Sequence, residues 1–303
     1  MKPATILTYL FLGTAASMQS GEPVTPVQAP APKPSFVLTH DVDASYHISG
    51  GARSAVSPFR NANVSEQNSH FQYVLSAAYP DRPIIRLGVN YDRYDFGFAG
   101  PGFIPGALQS VNFVAGLDFK IADILMRIEA QPGFYGDDRS LDSGSFNVPV
   151  VFGASYIVSK DFQWVAGLYF NPNYSVPVTG GVGFRWRVAD RWVLNAVPPN
   201  PRLEFKATDD LTLYAGGQVL ISAFRMNNNF GSGTPGRNYR NAWVGYTEFR
   251  AGTGASWKFA PKQTLDLEVG YTAYRDFDYH RVGDNFQTKS GALYGQVGLK
   301  MNF

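Results

Sequence analysis

Residues 292–303 read ALYGQVGLKMNF. Leu293, Val297, Leu299, Met301 and Phe303 share one parity, with Gly295 among them; Tyr294, Gln296, Lys300 and Asn302 share the other. Successive side chains of a strand point to opposite faces, so this stretch has one apolar face and one polar face. A strand of this kind ending on an aromatic residue predicts a sheet that closes on itself. The last strand then pairs with the first, its apolar face meets lipid, and Phe303 sits at the membrane boundary.

Working outward, the same period of two recurs from Phe36 onward, with almost no helical periodicity. TLDLEVGYTAY (264–274) sets Leu265, Leu267, Val269 and Tyr271 against Asp266, Glu268 and Thr272. PRLEFKA (201–207) sets Leu203, Phe205 and Ala207 against Arg202, Glu204 and Lys206. VGFRWRV (182–188) sets Val182, Phe184, Trp186 and Val188 against Arg185 and Arg187. Composition agrees: 17 Tyr, 23 Phe and 31 Gly favour strands and tight turns over helices. Cysteine is absent, which excludes disulfides, thiolate metal sites and a cysteine nucleophile. With 26 basic against 24 acidic side chains, charge makes no case for a nucleic-acid partner.

The connections alternate in length. PDRP (80–83), KIAD (120–123), SKD (159–161), ADR (189–191), TDD (208–210) and APKQ (260–263) are short. Ser49–Ser69, Gly97–Gly106, Tyr135–Ser145, Asn171–Pro177, Met226–Asn241 and Asp278–Ser290 are long and polar. Short turns at one end and long loops at the other describe an up-and-down antiparallel transmembrane β-barrel of the outer membrane. The all-β fold is therefore a single barrel. One place breaks the alternation: WVLNAVPPNPRLEFKA (192–207) turns at PPNP where a long loop is due. Counting both of its arms as strands gives fourteen; treating them as an inserted hairpin gives twelve. Fourteen is favoured.

The first residues read as a secretory signal, with Lys2 ahead of the apolar run ATILTYLFLGTAA (4–16) and cleavage between Ala16 and Ser20. The boundaries are residues 1–20 for the signal, 21–35 for a Pro-rich leader and 36–303 for the barrel. Trp164, Trp186, Trp192 and Trp257 fall at the short-turn ends of their strands and Trp243 at a long-loop end. With Phe303 they form the expected membrane-interface aromatics. A soluble sandwich has no cause to sort aromatics into bands.

Three stretches carry a family resemblance: PRLEFKATDDLTLYAGGQV (201–219), YTEFRAGTGASW (246–257) and LDLEVGYTAYRDFDY (265–279). They resemble an uncharacterised family of outer-membrane barrels, itself distantly similar to the barrels named for the meta-pathway of phenol degradation. The apolar C-terminal strand ending in Phe also resembles the recognition signal of bacterial outer-membrane barrels. That implies the barrel-assembly machinery and outer-membrane lipid as partners. Neither resemblance supplies an activity, a cofactor or functional residues.

Alternation points a set of charges inward: Arg86, Arg127, Glu129, Arg185, Arg187, Arg202, Glu204, Asp266, Glu268 and Lys300, with Asp41, Asp43, Asp92, Asp118 and Lys206. On the lipid face an Arg or Lys would cost about 2–4 kcal/mol near the midplane. They are the expected pore-lining residues, whether as a self-neutralising ladder or as the wall of a water-filled pore. The expected function is a pore for passive or weakly selective passage of small polar solutes. A plugged structural or surface-interaction barrel is one alternative, and a lipid-modifying enzyme a second. No G-x-S-x-G occurs, and Asp43, Ser45 and His47 lie too far apart along one strand, about 6–7 Å between alternate positions, to form a catalytic row. No catalytic residue, metal or cofactor is assigned. Asp137, Asp138 and Asp142 read as solvated loop acids.

Overall fold

A strand satisfies its backbone donors and acceptors only through a neighbour, and in hydrocarbon no water can substitute. The computed structural model shows how this chain meets that demand; it describes residues 36–55, 62–80, 82–98, 103–139, 141–231 and 238–303. The predicted signal and leader lie outside the described residues.

The strands are β1 (Val37–Arg53), β2 (Asn63–Ala78), β3 (Ile84–Phe98), β4 (Ala107–Ile121), β5 (Ile124–Ala130), β6 (Gly133–Asp137), β7 (Phe146–Asn147), β8 (Val150–Ile157) and β9 (Phe162–Phe170). They continue as β10 (Val178–Ala189), β11 (Trp192–Asn195), β12 (Arg202–Lys206), β13 (Leu211–Arg225), β14 (Trp243–Ala260), β15 (Gln263–Tyr279), β16 (Asp284–Gln287) and β17 (Ala292–Asn302). β5 with β6, β7 with β8, and β16 with β17 each form one stave, so the closed antiparallel barrel has fourteen. Pro132 and Pro149 fall at the first two breaks, where a residue without an N–H interrupts the ladder. The PPNP arms pair as full strands, Trp192↔Phe205 through Asn195↔Arg202, which decides for fourteen over twelve. Closure runs from Asp41↔Asn302 to Ser49↔Tyr294, and His40 and Phe303 exchange both backbone hydrogen bonds beyond it.

Long, outward apolar side chains belt the barrel. Ile85, Leu87 and Val89 on β3, Val111, Phe113 and Leu117 on β4, Leu267 and Val269 on β15, and Leu293 and Val297 on β17 are all exposed. Higher on the same faces the pattern changes: Arg93 and Asp95 on β3 pair with each other at 2.7 Å. That marks the outer edge of the lipid-facing band. The strands continue above it, and two of them reach further than the sequence suggests. The expected loop 49–69 is largely strand, since β1 runs to Arg53 and β2 starts at Asn63.

Trp164, Trp186, Trp192 and Trp257 are half-exposed at the short-turn end, and Phe303 is 51% exposed beside them. Trp243 is a correction. It is 5% exposed and packs in the apolar cluster at the long-loop end, where Met226, Tyr239 and their neighbours supply a protein core.

One sector of the wall differs. The β11–β12 hairpin is short, so above Gly216 the edge of β13 meets the PPNP turn instead of a strand. Gly217 N donates to Pro201 O at 2.8 Å and Val219 N to Pro199 O at 2.9 Å. Higher still, Arg225 touches Gly136 of β6 in a parallel contact. Above the PPNP turn the barrel thus closes through a β13–β6 contact that bypasses the staves between them.

Candidate functional site: the barrel lumen

From the short-turn end upward, the lumen has four tiers. The first is a set of ion pairs between neighbouring elements of the wall. Asp118 and Arg127 face each other in the β4–β5 register and bond twice, at 2.5 and 2.6 Å. Arg86 and Glu129 flank Gly116 from either side; with no side chain between them they approach to 3.6 Å. Across the lumen Arg185 meets Glu204 at 3.3 Å, and Arg187 meets Asp161 at 3.7 Å. Opposite charges so paired leave little net field, although Arg86 Nε and Nη2, Arg127 Nη1 and Glu129 Oε2 make no hydrogen bond among the described residues.

Around Arg185 and Arg187 lies a vestibule of about 140 Å³, lined by six basic side chains (Lys160, Arg185, Arg187, Arg191, Lys206 and Lys258) and four acidic ones (Asp161, Asp190, Glu204 and Asp209). In its rim turn the Lys206 ammonium, 2.9 Å away, holds the Asp209 carboxyl below the usual carboxylate range.

The second tier is a polar chamber of about 360 Å³. Asp43, His70, Asn90, Asp92, Arg202 and Lys300 are among its lining residues. His70 and Asn90 each bond Asp92 at 2.7 Å. Lys300 pairs with Asp266 at 2.5 Å, and Asp266 also accepts from Ser256. Glu268 accepts from Tyr294, and the Arg202 guanidinium lies 4.7 Å from the Tyr214 ring centre. A smaller space of about 40 Å³ shares Arg202 and Tyr214 with the chamber, and Glu204, Asp209, Thr212 and Lys258 with the vestibule.

The third tier closes the chamber from above. Glu66, Glu248, Arg250 and Arg275 form a four-charge cluster whose side chains are all but inaccessible. Arg275 reaches Glu66 at 2.5 Å and Glu248 at 2.8 Å; Arg250 reaches Glu66 at 3.2 Å and also bonds Glu248. Tyr246 donates toward Glu248 at 2.5 Å, and Arg275 donates to Ser49 Oγ at 2.9 Å and Val64 O at 3.1 Å. Two carboxylates meet two guanidinium groups, so formal charge cancels.

The fourth tier is an apolar cap built on Val64, Tyr94, Phe96, Phe103, Phe224, Tyr246, Phe277, Tyr279 and Phe286. Tyr279 ties it together by donating to Phe103 O at 3.0 Å.

All ten expected pore-lining residues lie on the lumen side, yet in different settings. Arg86, Arg127 and Glu129 are buried in ion pairs, Asp266, Glu268, Arg202 and Lys300 line the chamber, and Arg185, Arg187 and Glu204 line the vestibule. His47 packs at a tilt against Tyr294 with ring centres 5.0 Å apart, and neither of its ring nitrogens has a hydrogen-bond partner. It is not joined to Ser45 or Asp43 in any catalytic arrangement. Asp137 is not a solvated loop acid. It is buried and accepts from Asn227 N at 2.9 Å and from its side-chain amide at 2.5 Å, pinning one long loop to another.

The four-charge cluster is what the sequence reading missed. Glu66 stood in a stretch read as loop. Arg275 is hidden by a register shift: Thr272 pairs with Arg250 and Tyr274 with Phe249, leaving Ala273 as an extra residue on β15. Below it Asp266 and Thr272 are the buried positions; above it Arg275, Phe277 and Tyr279 are. A one-residue bulge swaps the faces.

A closed fourteen-stave antiparallel barrel, belted by exposed apolar side chains and girdled by tryptophans at one rim, is a transmembrane barrel of the bacterial outer-membrane class. Among solved structures, the chain is similar to the deltaS2S3 mutant of the TodX monoaromatic hydrocarbon channel, with a TM-score of 0.50, 9% identity, and 88% of this chain and 90% of that chain covered. The crystal structure of the Pseudomonas putida toluene transporter TodX gives 0.47 at 10% identity over 90% of each chain. The KdgM porin in complex with disordered oligogalacturonate gives 0.36 at 9% identity, covering 87% of this chain and 99% of that one. At these identities the likeness is one of fold. No protein-family model matches the chain, and no curated protein matches it by sequence.

Proposed function

We propose that the protein is an outer-membrane channel for small polar solutes, closed at its outer end in the form described. One observation carries this reading. Between the polar chamber and the basic vestibule lies a smaller space that shares lining residues with both, so polar side chains line the interior in succession from the short-turn rim to mid-barrel. The solved channels to which the fold is similar are named for a monoaromatic hydrocarbon and for toluene. The lining of this chamber, with Asp43, Asn68, Gln72, Asn90 and Asp92, favours a polar solute instead. A second reading, a plugged structural barrel, draws on the four-charge cluster and the cap above the chamber.

Planar-bilayer recording separates the two. A channel gives stepwise conductance with modest anion preference, because the vestibule lining carries six basic side chains against four acidic ones, and this excess acts within about one Debye length, ~8–10 Å at physiological salt. Replacing Arg185 and Arg187 by Gln shifts the reversal potential toward cations while the barrel still assembles. Silent bilayers from correctly folded protein, over a full range of applied voltage, would establish the plugged reading.

A further inference from the structure

The chamber is lopsided. Its β1–β4 wall is a field of amides and hydroxyls, in which Asn90 and Asn112 stand directly opposite each other in the β3–β4 register. They are 6% and 2% exposed, and the side-chain Oδ1 of neither has a partner within the protein. Beside this wall stands the ring of Tyr135, whose backbone pairs with Ser110 of β4, and Tyr169 also lines the cavity. Two buried amide oxygens without partners, on residues that line one cavity, are costly unless something in the cavity bonds to them.

From this we infer that the β1–β4 wall is a binding subsite for a neutral, hydroxyl-rich solute of single-ring size, such as a monosaccharide or cyclitol. Charge argues for neutrality. Asp92 is held by His70 and Asn90, Asp266 by Lys300, and Arg250 by Glu66 and Glu248. Asp43 stands across from Lys300 in the β1–β17 register. Arg202, over the Tyr214 ring, and Glu268, bonded by Tyr294, are chamber charges without an ion pair among the described residues, but they stand on β12 and β15, outside this wall. On the wall itself a charged solute would have to displace one of these partners or lie buried unpaired. Hydroxyl groups need neither. Each is both donor and acceptor, so it satisfies an asparagine amide whichever way the amide is turned, whereas an ammonium meets only the carbonyl end and a carboxylate only the NH₂ end. A cavity of about 360 Å³ has room for one such ring. Occupancy of this wall rests on the channel reading for the solute's route in; binding itself is measured without transport.

Folded barrel in detergent is dialysed to equilibrium against radiolabelled D-glucose, with choline and benzoate as charged competitors. Saturable uptake at millimolar concentration, undisplaced by equimolar choline or benzoate, is expected. Asn112→Leu keeps the volume and removes the amide; it weakens glucose binding about tenfold, and so does Asn90→Leu. Arg139→Gln, on an exposed loop, leaves binding unchanged. Heat-modifiable gel migration reports folding of each variant, and competition on the wild-type barrel decides the matter where a variant does not fold. A folded wild-type barrel that takes up no glucose, or yields it to choline, overturns the assignment; binding that survives both leucine substitutions overturns its placement. Glucose binding without glucose flux in liposome swelling keeps the subsite and sinks the channel. Flux without saturable binding does the reverse.

Discussion

Replacing Arg275 by Leu tests the closure above the chamber most directly. Arg275 neutralises Glu66 at 2.5 Å and Glu248 at 2.8 Å, and all three side chains are inaccessible. Its loss leaves two buried carboxylates with Arg250 as their shared counter-charge, so one negative charge is uncompensated. Removing one member of a buried ion pair costs about 3–5 kcal/mol. A Coulomb estimate agrees: unit charges 4 Å apart interact by about 4 kcal/mol at an effective dielectric constant of 20. Adding Glu248→Gln removes the stranded charge. The double variant should therefore cost less than the sum of the single ones, with a coupling of about 2 kcal/mol. Urea unfolding of barrels in lipid vesicles, followed by tryptophan fluorescence and analysed by linear extrapolation, measures both quantities. A single variant within about 0.5 kcal/mol of wild type, or a double that is simply additive, would refute the idea that these four charges form one unit.

Phe303→Asp should lower the yield of assembled barrel, since it puts a charge at the interface beside the two backbone bonds that tie His40 to Phe303; wild-type levels of heat-modifiable protein in the membrane would contradict this account of closure. In single-tryptophan variants, brominated lipid should quench Trp164, Trp186, Trp192 and Trp257, which are half-exposed at the rim, and leave Trp243 bright in the cap. Strong quenching of Trp243 would mean that the cap does not cover it.

Much of this fold was readable as pattern. Parity alone placed Leu293, Val297, Leu267 and Val269 on the lipid face, and alternating connection lengths ordered the staves. Lipid enforces that rule strictly, because no other solvent covers the outside of the barrel. The rule weakens where lipid ends. Above the belt Arg93 and Asp95 face outward, Trp243 turns into a core, and β1 and β2 extend through residues too polar to read as strand. The candidate site divides the same way. Residues on regular strands, such as Arg185 and Asp266, could be assigned inward from their neighbours. Arg275 could not, because the extra residue Ala273 is indistinguishable in sequence from any other strand position, and the pairing that exposes it lies on β14. The partnerless amide oxygens of Asn90 and Asn112 are a property of the surroundings, which a linear sequence does not display.

The cap has a consequence for the order of assembly. Its residues run from Val64 to Phe286, a separation of 222 positions (286 − 64), and it draws on β2, β3, β13, β14, β15 and β16 together. Contacts so distant along the chain carry a heavy loop-closure cost that earlier pairings must first reduce. Hairpins such as β2–β3 and β14–β15 can zip locally, but the cap cannot condense until the staves between them are in place. Loop-closure cost therefore predicts that the seal sets last, after the staves it bridges have paired.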